Sequence, residues 1–379
     1  MRRFTSLFCI LCSAALFAAE GEEIAMVPKE GLTPAQGVVA TKPAPSSFEG
    51  LADNFKFSGD VRTAVSNATM YSNGNKVRGA GGLNPSTELD NIKVNLKADY
   101  KAPRLWSSSH LKVSTNLQKT VTENLLLEKF VVGGRVWDSS EGRLDAEAGR
   151  RRLVTAFDSK LQFASMTDGL VFNVVAPQFG NAYLKGSAFL RSVLSNAHPG
   201  FAMEAGLPNI AKSGAFVKYS FVDWDTKSYA TAADQNKYAF ANSQLTVGHQ
   251  SRPTWLGGKT PLKLYAAALV NHKATPKATT GNTLANYGGY AGVSMGKSGK
   301  QGDWMVDANY QLLAAQAVPS FDALGLRSGN HKGVVVSGAY QITDNLSVRG
   351  SAHHASKWKK GIGPTANGNY GKVEFVFGF

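Results

Sequence analysis

The chain has 379 residues, 39 of them Gly, and carries 41 Lys plus Arg against 27 Asp plus Glu. Its two cysteines, Cys9 and Cys12, both fall in the first 19 residues, so the remainder holds no disulfide framework and no thiolate metal site. No later segment offers roughly 18 consecutive apolar residues, which excludes a bundle of membrane-spanning helices.

Arg2 and Arg3, the apolar run Phe4 to Phe17 and the small pair Ala18 and Ala19 read as a secretory signal over 1–19. Leu11 stands before Cys12, where lipid modification wants a small residue. Without Arg2 and Arg3 the basic count is 41 − 2 = 39 against 27 acidic, a net charge of +12. Nucleic acid is a poor partner for an exported chain, so this excess points to anionic lipid or to anionic solutes. Residues 20–50, with Pro28, Pro34, Pro43 and Pro45, predict a Pro-rich linker or periplasmic extension. Residues 51–379 form the remaining domain.

From Phe55 onward the pattern has period two. Phe55, Phe57, Gly59, Val61, Thr63 and Val65 alternate with Lys56, Ser58, Asp60, Arg62 and Ala64. Ile92 to Tyr100 and Leu111 to Gln118 repeat the theme. Further strands are expected over 126–137, 143–151, 159–166, 169–176, 182–190, 215–223 and 244–250. In the last third, Leu262 to Val270, Trp304 to Leu312, Val334 to Tyr340, Leu346 to Ala352 and Val373 to Phe379 each keep one apolar and one polar face. That predicts an all-β fold of about 16 strands, with 14 or 18 also open. Residues 192–214, with Pro199 and Pro208, are too long for a short turn and mark a miscounted strand or an irregular loop.

A soluble sandwich also alternates, so the wet face has to be argued. Strands of roughly 9–11 residues suit a tilted membrane crossing. Tyr100, Trp137, Trp304 and Tyr340 stand near strand ends, where an interfacial girdle lies. Connections alternate in length: 272–286, 314–331 and 356–369 are long, whereas 297–302 and 343–345 are short. This is the asymmetry of a transmembrane antiparallel β-barrel.

Gly302-Asp303-Trp304, Tyr310, Ala317-Val318-Pro319, Phe321-Asp322, Gly329, Lys332-Gly333 and the run Ala339 to Leu346 resemble a loosely described family of bacterial outer-membrane porins. Ala148 to Arg151, Phe157-Asp158 and Asp168-Gly169-Leu170 resemble it as well. The likeness spans 51–379 unevenly and fades over 192–300, and Lys372 and Gly378 depart from a regular final strand. It implies a barrel in the bacterial outer membrane, passive passage of small hydrophilic solutes, contact with lipid and lipopolysaccharide, and no cofactor. Phe375, Phe377 and Phe379 resemble the terminal signal read by the barrel-assembly machinery. A homotrimer is expected by analogy alone.

If the register above holds, Lys56, Arg62, Lys93, Lys97, Lys112 and Arg349 line the wet face. Inward cations favour anions; the plainer alternative is that they solvate the face and pair with Asp60 and Asp99. Arg150, Arg151 and Arg152 form the densest basic cluster. Porin loops fold inward and narrow the barrel, so 150–158 is a constriction candidate with Asp158 opposite; the alternative is a strand end beside anionic lipopolysaccharide. His353 and His354 point to opposite faces and cannot share a metal. Asp223-Trp224-Asp225 lacks the rest of a calcium loop. Leu256 to Thr260 lacks the earlier glycine of a phosphate loop, since Pro253 stands there. Two rival readings remain: a barrel hydrolase built around Ser109, His110 or His353, and an adhesin or structural barrel with a plugged lumen.

Overall fold

The computed structural model describes residues 54–72, 75–76, 87–115, 124–193, 196–225, 239–276, 280–326, 329–359 and 366–379. The signal expected over 1–19 and the linker over 20–50 lie outside them. Sixteen strands form one sheet. In chain order they are β1 (Phe55–Ser72), β2 (Thr87–Lys101), β3 (Leu105–Thr115), β4 (Asn124–Asp138), β5 (Arg143–Arg152), β6 (Met166–Ala176), β7 (Ala182–Val193) and β8 (Asn196–Ile210). There follow β9 (Ala215–Trp224), β10 (Phe240–Ser251), β11 (Leu262–Asn271), β12 (Tyr287–Gly296), β13 (Trp304–Leu313), β14 (His331–Gln341), β15 (Leu346–Lys357) and β16 (Ala366–Gly378). A two-residue piece, Asn75–Lys76, folds back on the end of β1.

Every strand pairs antiparallel with its sequence neighbours, and β16 pairs with β1 in unbroken register from Asp60↔Gly378 to Ser72↔Ala366. The sheet is therefore a closed barrel with no free edge. One end, called here the turn end, carries the connections 102–104, 139–142, 177–181, 211–214, 252–261, 297–303 and 342–345. The loop end carries most of the long ones, among them 153–165, 272–286 and 314–330.

Closure turns the period-two pattern into inside and outside. Phe57 is 76% exposed on the outer face, and Leu125, Phe172, Leu245 and Phe375 stand exposed with it. Inward Asn95, Glu204, Asp307 and Gln311 are buried. Trp137, Trp304 and Tyr340 are half-exposed at the turn end, the aromatic placement expected at an interface.

One expected strand fails, and a stretch left open in the sequence supplies the strand that replaces it in the count. Residues 159–166 alternate like a strand, but 153–165 is an inward connection, and Leu161, Gln162 and Phe163 are buried on both sides of the alternation. Residues 196–210, within the stretch left open as a miscounted strand or an irregular loop, are strand β8. Pro208 falls where the β8–β9 register shifts between Ala215 and Val217, a bulge that needs no ladder N–H. Pro199 sits near the loop end, where its carbonyl accepts from Asp225 N–H at 2.9 Å.

The seam is tightened at the turn end. Gly59 N–H donates to Phe379 O at 2.8 Å and Phe379 N–H to Gly59 O at 3.0 Å. A Cβ on Gly59 would lie 2.5 Å from Phe379 Cζ, so the ring rests on bare backbone. Gly59→Val is expected to lower the yield of heat-modifiable barrel on refolding, and Gly59→Val with Phe379→Ala to recover part of it. Gel mobility of unheated samples checks this.

Candidate functional site

The segment 153–165 leaves the loop end of β5 and turns into the lumen. Its apolar residues, Leu153, Ala156, Phe157 and Phe163, pack on inward Val171, Phe189, Ala202, Val222, Trp224 and Phe240. These wall positions belong to the wet register yet are apolar, because the segment covers them. Leu161 packs in a second cluster with Phe216, Tyr265, Leu269, Tyr290 and Leu313.

Polar contacts fix the segment across half the barrel. Lys185 Nζ on β7 donates to Ala156 O at 2.8 Å. Asp158 N–H donates to Glu204 on β8 at 3.0 Å, and Glu204 also accepts from Tyr183 Oη at 2.9 Å. Ser159 Oγ donates to Gln244 on β10 at 2.7 Å, and Asn242 Nδ2 to Gln162 at 3.2 Å. Lys160 Nζ reaches Asp307 on β13 at 3.1 Å, where Tyr265 Oη donates as well. Lys218 on β9 pairs with Asp158. Inward Asn242, Gln244 and Gln311 are thereby covered, at 1% exposure or less.

The wall of β15, β16 and β1 to β4 is different. Asp60 accepts from Arg62, from Asn95 at 2.6 Å and from Lys97 at 3.4 Å. Glu128 holds Lys112 at 3.0 Å, Arg152 at 3.3 Å and His110 at 3.5 Å. Glu374 holds Lys372 at 3.0 Å, with Arg62 at 3.9 Å. Three carboxylates thus face five permanent cations: Arg62, Lys97, Lys112, Arg152 and Lys372. Water still reaches these cations, since the Lys97 and Arg152 side chains are 39% and 49% exposed. Lys56 lies opposite Asp99, Lys93 opposite Arg62 and Arg349 opposite Glu374, all in the inward register.

The arginine triplet divides. Arg151 is inward and pairs with Glu147 at 2.6 Å, and Trp106 Nε1 donates to the same carboxylate at 2.7 Å. Arg152, at the strand end, swings to Glu128. Arg150 is not a lumen residue. It lies opposite exposed Phe130 and forms a two-pronged pair with Asp168, both contacts 2.8 Å, on the outer face near the loop end. Strand alternation forces this, because Arg151 on either reading takes the other side.

His353 and His354 likewise separate: His353 stacks on Tyr370 inside, and His354 meets Asn369 outside at 2.6 Å. Asp223 binds Lys273 while Trp224 is buried inward. Ser109 and His110 occupy opposite faces of β3, so they cannot act on one reacting atom. The sequence reading missed Lys160, Glu204, Asp307 and Tyr265. For Asp307 and Tyr265 the signal was present as charged and tyrosyl residues in the wet register, whereas Glu204 fell in the unassigned stretch 192–214 and Lys160 on the inward connection.

Phe157→Ala removes one of the two phenylalanine anchors of the segment, with an expected cost of about 3–5 kcal/mol to its docking. The barrel should stay heat-modifiable while trypsin gains access at Lys160, which mass spectrometry of the digest reports.

No protein-family model and no curated protein matches the sequence. Solved structures do. The low-pH structure of Pseudomonas putida OprB matches with a TM-score of 0.51 at 11% identity, covering 88% of this chain and 95% of that one. The Salmonella typhi OmpF complex with daunomycin matches with a TM-score of 0.51 at 11% identity, covering 86% and 97%. At such identities the likeness is one of architecture, and the chain has the closed antiparallel barrel fold of the bacterial outer-membrane porins.

Proposed function

We propose that the chain is an outer-membrane porin that passes small hydrophilic solutes by passive diffusion, with a preference for anions. The observation that carries this reading is the wall of five cations on three carboxylates, on the side of the lumen that 153–165 does not cover. An outer face of exposed apolar side chains suits hydrocarbon, and the half-exposed rings at the turn end suit the periplasmic interface. Export would use the 1–19 signal, and assembly would read outward Phe375, Phe377 and Phe379, which stand 48%, 51% and 59% exposed. Lipid and lipopolysaccharide would surround the barrel, and a homotrimer remains an analogy to be tested by native mass.

Inward cations lower the barrier for anions and raise it for cations. Asp60, Glu128 and Glu374 are each already shared by two cations, so this cluster keeps a net positive charge. One rival draws on a specific observation: two connections, 153–165 and 314–326, both enter the lumen, as they would in a plugged structural barrel.

Liposome swelling with neutral, anionic and cationic solutes of matched size separates the readings. Open passage with anions fastest supports the proposal, and no swelling from a heat-modifiable barrel supports the plug. Lys97→Gln, Lys112→Gln and Arg152→Gln together leave two of the five cations against three carboxylates. That triple variant is expected to lower the anion-to-cation rate ratio by a factor on the order of ten. Arg150→Gln, on the outer face, should leave the ratio unchanged.

A further inference from the structure

The connection 314–330 also leaves the loop end and turns inward, and it meets 153–165 inside the barrel. Ala314, Ala317, Val318 and Leu326 are buried. Gln316 N–H donates to Ala285 O at 2.7 Å and Gln316 Nε2 to Thr275 O at 2.7 Å, which ties the descending limb to the neighbouring connection. The Phe321 ring stands edge-on to Trp224 at 5.1 Å and lies flat against His198 at 6.0 Å, with the Arg191 guanidinium 4.4 Å over it.

The next residue, Asp322, is fully buried. Its carboxylate accepts from Phe163 N–H at 2.9 Å and from Ser165 N–H at 3.0 Å. Its backbone carbonyl accepts from Ala164 N–H at 3.1 Å, and Leu324 N–H donates to Leu161 O at 2.9 Å. Three successive amides of the inward segment thus end on one residue of the other connection. Phe163 has φ +80°, a left-handed conformation that a bulky residue adopts only where its surroundings impose it. Burial pushes the Asp322 carboxyl up to about 6, against the Phe163 and Ser165 hydrogen bonds and, more weakly, Arg191, which draw it down.

We propose that Asp322 is a positioning residue for passage through the barrel: it clasps 153–165 in the lumen, so two interlocked connections set the bore. The proposal rests on the channel reading, and the test keeps the two apart. The mature chain is free of cysteine, so Ala156→Cys, behind the segment at 8% exposure, gives a single probe of its release. A bulky hydrophilic maleimide is applied to the full mature chain refolded in bilayers, and single-channel conductance is recorded in parallel.

With Asp322→Ala the barrel should remain heat-modifiable, label at least about tenfold faster than the parent, and show larger, noisier conductance steps. Asp322→Asn keeps one acceptor oxygen and should fall between the two, and it carries the test if the alanine variant does not fold. Labelling and conductance equal to the parent in a folded Asp322→Asn or Asp322→Ala barrel would overturn the clasp. Faster labelling in a barrel that never conducts would uphold the clasp and remove the channel.

Discussion

A strand in hydrocarbon has no water to satisfy its backbone, so both of its edges must be paired. The pairing of β16 with β1, from Asp60↔Gly378 to Ser72↔Ala366, meets that condition for the whole sheet. Once the ring closes, side-chain alternation has only two destinations. Exposed Phe57, Phe172 and Phe375 go outward, and Asp60, Glu204 and Asp307 go inward. The same rule sends Arg150 and Arg151, adjacent in sequence, to the outer face and to the lumen.

Because the sheet's apolar face looks outward, the buried apolar core is supplied from elsewhere. It forms where 153–165 and 314–326 lie against inward Phe189, Val222, Trp224, Phe240, Tyr265 and Leu313. The lumen is therefore asymmetric. On β7 to β13 the inward residues are largely apolar or amide, and the charged Lys185, Glu204, Lys218 and Asp307 among them are engaged by the inward segment. On β15, β16 and β1 to β4 they are Lys, Arg and a smaller number of carboxylates, and they keep contact with water. The positive field belongs to the uncovered half.

The strand pattern was legible because membrane alternation is regular over long runs, as at Leu262–Asn271 and Trp304–Leu313. The strand number was right, although 159–166 is not a strand and the strand within 192–214 had been left open. Of the expected strand 159–166, residues 159–165 belong to the inward connection and are buried on two sides, between the wall and the connection that carries Asp322, which periodicity cannot distinguish from a ladder. Asn196–Ile210 was hidden by Pro199 and Pro208, which a strand end and a bulge accommodate. Arg62, Lys93, Lys97, Lys112 and Arg349 could be assigned to the inward register from alternation alone. What alternation could not supply was which half of that face is covered, since the covering residues are distant in sequence: Ser159 meets Gln244, and Phe163 meets Asp322.

On the proposed reading, the uncovered wall gives the lumen a net positive field. The zero-current potential of the wild-type barrel in a planar bilayer, across a potassium chloride gradient, tests it most directly. The account predicts discrete conductance steps and a reversal potential displaced toward the chloride equilibrium value, with the displacement shrinking as ionic strength rises. A reversal potential displaced toward potassium, from a barrel that conducts, would contradict it.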